Sequence, residues 1–121
     1  MSRLRAAALT LGAAAAALTL TATTAHAAPG DTQDVCNSQF TPSGWADVQW
    51  WNSYACGPGF NPNSRRIMQL TGYPIGTTVN VCSSALPPSG WVEVSAFYSS
   101  SCRYSVTPSF NNNSWQLKRI A

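Results

Sequence analysis

Apolar and polar residues alternate along Thr77–Cys82 (TTVNVC), the period of two that a half-buried β-strand requires. Two further stretches, WADVQWWN at Trp45–Asn52 and WVEVSAFY at Trp91–Tyr98, are dense in Val, Trp, Phe and Tyr and also read as strands. Each follows the triplet PSG, which is turn chemistry: proline presets φ and glycine accepts positive φ. A third kind of strand is predicted over Arg65–Leu70 and Trp115–Ile120. Gly57–Ser64 and Arg103–Asn113, rich in Asn, Pro, Ser and Gly, read as loops. No stretch after residue 27 sustains a helical apolar period.

The pattern occurs twice. A shift of 46 positions lays Val35–Cys36 on Val81–Cys82, Pro42-Ser43-Gly44-Trp45 on Pro88-Ser89-Gly90-Trp91, Asp47–Val48 on Glu93–Val94, and Cys56 on Cys102. After Pro62 and Pro108 the second copy gains four residues, and Asn63–Leu70 then corresponds to Asn113–Ile120. Two copies are too few for a solenoid. The predicted fold class is all-β: two pseudo-symmetric three-stranded repeat units, 31–70 and 77–121, packed together as a small sandwich or barrel. Thr71–Gly76 (TGYPIG) is the linker. A pseudo-twofold relation, with each unit covering the other's apolar face, is the expected packing.

Side chains two apart share a face of a regular strand. On that basis Ala46, Val48 and Trp50, with Val92, Val94 and Ala96, form a core face. The opposite face carries Trp45, Asp47, Gln49 and Trp51 in the first unit, and Trp91, Glu93, Ser95 and Phe97 in the second. Aromatic rings flanked by hydrogen-bonding groups suit a sugar, whose C–H face packs on the ring while its hydroxyls meet the polar groups. Trp45, Asp47, Trp51, Trp91, Glu93 and Phe97 are therefore the candidate ligand-binding residues. Trp45 and Trp91, beside a turn and a cysteine, also suit a core role, so Trp51 is the cleaner test. Asp47 and Glu93 would serve glycoside hydrolysis only if they flanked one bond. We read them as non-catalytic.

The first 27 residues change the composition. They comprise two arginines in MSRLR, an uncharged Ala-rich run from Ala6 to Leu20, and the small-x-small signature Ala25-His26-Ala27. This is the form of a secretory signal peptide cleaved after Ala27, and the run falls short of the roughly 20 residues a membrane span needs. The remaining domain, 28–121, holds 94 residues (121 − 27) and no histidine. Its bases are Arg65, Arg66, Arg103, Lys118 and Arg119, and its acids Asp31, Asp34, Asp47 and Glu93, a net charge of +1 (5 − 4). With no basic stripe, nucleic acid is not an expected partner. With no histidine, a Ser–His or Cys–His nucleophile pair is excluded from this domain. Arg65, Arg66, Lys118 and Arg119 are read as charges that guard strand edges. Asn112-Asn113-Ser114 matches a glycosylation sequon.

A chain of this size buries only about 60–65% of its unfolded surface and needs reinforcement. Four cysteines in a secreted chain supply it as disulfides. Cys36 and Cys56 stand twenty residues apart, as do Cys82 and Cys102. Four cysteines allow three pairings, and equivalent units should close equivalent loops: Cys36–Cys56 and Cys82–Cys102. Close Cys-x-x-Cys spacing is absent from the sequence, so neither a tetrathiolate zinc site nor a redox pair is expected, nor any other metal or cofactor.

These residues together (VC, then PSGW, a second cysteine twenty positions after the first, Asn-Ser, and a closing apolar strand with bases) resemble small secreted bacterial proteins built from this unit in tandem. GYPIGTTVNVC and the terminal LKRI resemble the joint and the end of such pairs. The resemblance implies secretion and duplication and carries no activity. The expected function is a non-catalytic binding module for a polysaccharide or cell-envelope glycan. The alternative is a protein-binding effector, an extracellular inhibitor or toxin component, using the loops GPGFNPNS and RYSVTPSFNNN. The scarcity of carboxylates disfavours an enzyme.

Overall fold

A computed structural model describes residues 27–121, so the predicted leader, 1–27, lies outside the described residues but for Ala27. The described chain forms six strands: β1 Thr32–Cys36, β2 Trp45–Trp51, β3 Ser64–Gln69, β4 Thr78–Cys82, β5 Trp91–Phe97 and β6 Ser114–Arg119. They make two three-stranded antiparallel sheets, ordered β1-β3-β2 and β4-β6-β5. Single turns of 3-10 helix, Tyr54–Cys56 and Ser100–Cys102, follow β2 and β5. The all-β class and the three strands per unit are as predicted, and the sheets pack together without closing into a barrel.

Both outer strands of a sheet run antiparallel to the central one, so β1 and β2 are parallel. The chain must therefore travel back along the sheet between them, and residues 37–44 make that crossing. It ends in the PSG turn. Trp45 N–H donates to the Pro42 carbonyl at 3.1 Å and Trp91 N–H to that of Pro88 at 3.1 Å. Gly44 (φ 84°) and Gly90 (φ 87°) hold the third position, which is a type II turn. A Cβ on Gly44 would lie 2.4 Å from Thr71 Oγ1, and one on Gly90 2.6 Å from the Ala121 carbonyl oxygen. Backbone and space both require glycine there.

At the other end of each sheet a disulfide closes the unit: Cys36–Cys56 and Cys82–Cys102, the predicted pairing. The repeated Asn-Ser step explains itself beside it. Asn63 Oδ1 accepts the Ser53 N–H at 2.8 Å while its Nδ2 donates to the Ser53 carbonyl at 2.9 Å. Asn113 makes the same pair of bonds with Ser99, at 2.8 and 2.9 Å. Each asparagine thus ties the end of its loop to the start, and Ser53 and Ser99 in turn cap the 3-10 turns.

The core lies between the units. Ala46 and Leu70 of the first pack against Val81, Trp91 and Leu117 of the second, flanked by Val48, Met68, Tyr73, Val79 and Trp115. Leu70 and Leu117 are fully buried and contribute about 1.5–3 kcal/mol each by apolar burial. The contact is made by β2 against β4 and the second 3-10 turn. A twofold axis would pair like with like. Here a surface of unit one meets a different surface of unit two, which corrects the pseudo-twofold expectation: the units stand head to tail. The expected edge role of the four basic residues is corrected as well, because β3 and β6 are the central strands.

Candidate functional site

The register of β2 on β3 shifts between Asp47 and Gln49, and that of β5 on β6 between Glu93 and Ser95. One extra residue, Val48 or Val94, is thereby inserted, and a bulge of this kind reverses the faces that follow it. Residues directly opposite across a ladder share a face. Trp45, Asp47 and Trp50 therefore lie with Gln69, Ile67 and Arg65, while Ala46, Gln49 and Trp51 lie with Met68, Arg66 and Ser64. The expected face of Trp45, Asp47, Gln49 and Trp51 is divided between both sides of the sheet. In the second unit Trp91 and Glu93 part from Phe97 in the same way.

Burial divides the candidates further. Trp91 is in the core, edge-on to Tyr73 with ring centroids 6.0 Å apart. Asp47 is 2% exposed. Its Oδ1 accepts from Arg65 Nε at 3.2 Å and from Thr41 Oγ1 at 2.6 Å, and its Oδ2 from Ser84 Oγ at 2.6 Å. Trp50 Nε1 donates to the same Ser84 hydroxyl at 2.8 Å, and Arg65 also donates to the Gln39 carbonyl. A buried carboxylate fully engaged with a guanidinium and two hydroxyls is a pin between units, since Ser84 belongs to the second. Glu93, at the equivalent place, is exposed, and so are Val92, Val94 and Ala96, which were expected in the core. β5 is an outer edge strand whose residues 92–96 are exposed. Asp47 and Glu93 are not brought together. Trp45 and Phe97 are half-buried.

Trp51 is half-buried, with the Arg66 guanidinium 5.7 Å from its ring centroid. Arg66 is held there by Asp34, with Nε 2.8 Å from Oδ1. This ion pair lowers the Asp34 carboxyl below its ordinary value and raises the guanidinium, in each case first through the hydrogen bond.

The head-to-tail packing sets the loop ends of the two units side by side. Between them runs an open cleft of about 350 Å³, one wall from Trp50, Trp51, Asn52, Phe60 and Asn61, the other from Ser100, Arg103, Ser105 and Val106. Trp50 crosses the junction, its ring 6.0 Å from that of Tyr104. Phe60 stands almost wholly in solvent. Asn52 is fixed by donating its amide to the Gly59 and Asn61 carbonyls at 3.0 and 2.6 Å. Of the predicted binding residues, only Trp51 lines this cleft. Phe60, Asn61 and Arg103 were legible merely as loop residues, and Asn52 merely as the end of a strand. The signal that could have found them is the repeat, which sets Phe60 on Val106 at the same loop offset.

Among the described residues no helix is long and apolar enough to cross a membrane. No protein-family model, no curated protein and no solved structure matches the chain.

Proposed function

We propose that the protein is a secreted, disulfide-stabilised, non-catalytic binding module that takes a polysaccharide or cell-envelope glycan along the cleft between its two units. The observation that carries this reading is the lining of that cleft. Trp51 and Phe60 offer ring faces to sugar C–H groups, and Asn61, Ser100 and Arg103 offer donors and acceptors to hydroxyls. The cleft is open to solvent, which admits a polymer. Duplication then supplies two walls of one site. Two disulfides suit an oxidising, extracellular compartment.

Retention on insoluble chitin, cellulose and peptidoglycan tests the reading. Trp51→Ala and Phe60→Ala should each reduce retention at least tenfold and leave the melting temperature within a few degrees. Wild-type protein that no glycan retains, or retention indifferent to both substitutions, overturns it.

One observation favours a protein-binding effector instead. Phe40 and Leu86 are equivalent, as are Phe60 and Val106, and all four are exposed at loop tips. Large apolar side chains exposed at matched positions of both units suit contact with a protein. Capture of an extracellular protease, lost on Phe40→Ser with Leu86→Ser, would establish this second reading.

A further inference from the structure

The internal contact has two unlike surfaces, and the molecule carries a second example of each. The first surface is the β2 edge of unit one: Ala46 (3% exposed), Asp47 (2%) and Leu70 (0%), with Val48. Its counterparts in unit two are Val92 (37%), Glu93, Ile120 (53%) and Val94 (48%), all bare. Their backbones are equivalent in detail: Leu70 N–H donates to the Gly44 carbonyl at 2.8 Å, and Ile120 N–H to that of Gly90 at 2.8 Å. The second surface is β4 with the following 3-10 turn, where Val81, Cys82 and Cys102 are buried. Its counterparts in unit one, Val35, Cys36 and Cys56, are only half-buried. The first set is covered where the two units meet and exposed at the outer end; the second is covered at the junction and half-buried at the outer end.

A contact between unlike surfaces does not use itself up. Repeated, it builds an open row rather than a closed pair. We infer that the Val92–Val94–Ile120 face of one molecule docks on the β1 face of a second copy of this chain, with Val35 and the Cys36–Cys56 disulfide beneath it, in the same head-to-tail manner as the internal junction. The occupant is set by the molecule's own interior, where the equivalent apolar strip already sits on the equivalent strand and disulfide. The polar contact is kept as well. Ser84 Oγ donates to Asp47 across the internal junction at 2.6 Å, and by the shift of 46 Ser38 would donate to Glu93. Two parts are missing. Ala96 stands in place of Trp50, and Pro58 in place of Tyr104, so the aromatic lock of the internal junction is absent. Association between copies is accordingly reversible and weaker than the junction within the chain.

Sedimentation of the oxidised protein from micromolar to millimolar concentration tests this. The weight-average mass should climb with concentration and pass the dimer without a plateau. Val94→Lys blocks one surface and Gln33→Lys the other. Both positions are exposed and Gln33 shares the face of Val35, so both variants should keep the wild-type melting temperature. Each alone should associate at least tenfold more weakly. Mixed, the two should form a 1:1 pair and nothing longer, because one intact copy of each surface remains. A protein monomeric throughout, or a dimer that neither variant weakens, or one that mixing does not restore, overturns the inference.

Discussion

Asp47 and Glu93 hold the same place in the two repeats and experience opposite surroundings. Asp47 is desolvated against Arg65, Thr41 and Ser84, and Glu93 sits in water on an edge strand. Removing one partner of a buried ion pair strands the other charge, so Asp47→Ala should destabilise the protein by about 3–5 kcal/mol. Glu93→Ala should stay within about 0.5 kcal/mol, as exposed substitutions do. Urea denaturation of the oxidised protein measures both, and equal effects would contradict the assignment of the unit junction. The Asp34–Arg66 pair is exposed and behaves differently. The folded-state pKa of Asp34 is depressed below its ordinary value of 3.8, so the pair's contribution is present above that pH and fades as pH falls through the lower folded value. Screening by solvent keeps it small. Asp34→Asn should therefore lower the melting temperature slightly near neutrality, and the difference from wild type should vanish below the ordinary carboxylate range, as a series of melts from neutral to strongly acid pH would show.

At the scale of elements, each unit is one crossing segment, one hairpin-like loop and one disulfide around a central strand. The type II turn at PSG and the Asn–Ser clamp recur because both are local: a handful of consecutive residues satisfy their own backbone. The disulfides recur in sequence and not in environment. Each closes a loop of separation 20 and stabilises by about 3 kcal/mol on the loop-entropy model. Cys82 and Cys102 are buried beneath β2, while Cys36 and Cys56 are half-buried at the outer surface. Access governs exchange with an external thiol. Mild reduction of the folded protein followed by alkylation and peptide mapping should label Cys36 and Cys56 first. Labelling of both pairs at one rate would count against it, and full reduction should lower the melting temperature sharply.

For the molecule as a whole, the head-to-tail junction decides what is inside. It buries Trp91, Val81 and Leu117 of one unit under Ala46 and Leu70 of the other. It leaves Val92, Val94 and Ile120 bare, and it opens the cleft in which Trp51 meets Arg103. Trp50 is its fastener, bonded to Ser84 and packed on Tyr104, with the Arg65 guanidinium 5.6 Å from its ring centroid. None of these partners is near it in sequence.

The sequence alone determined the class of structure, the two units, their six strands, the turns at PSG and the disulfide pairing. Periodicity, glycine at positive φ and equal cysteine spacing are properties of neighbouring residues, and duplication writes them twice. The faces of β2 and β5 were beyond it, because a bulge is a matter of register between strands and Val48 and Val94 look like any other strand residues. The fates of Trp51 and Trp91 were equally hidden. One tryptophan became a cleft wall and the other core, because two repeated units joined by unlike surfaces cannot have identical surroundings. Burial in this protein is a property of the junction, and only the tertiary structure fixes the junction.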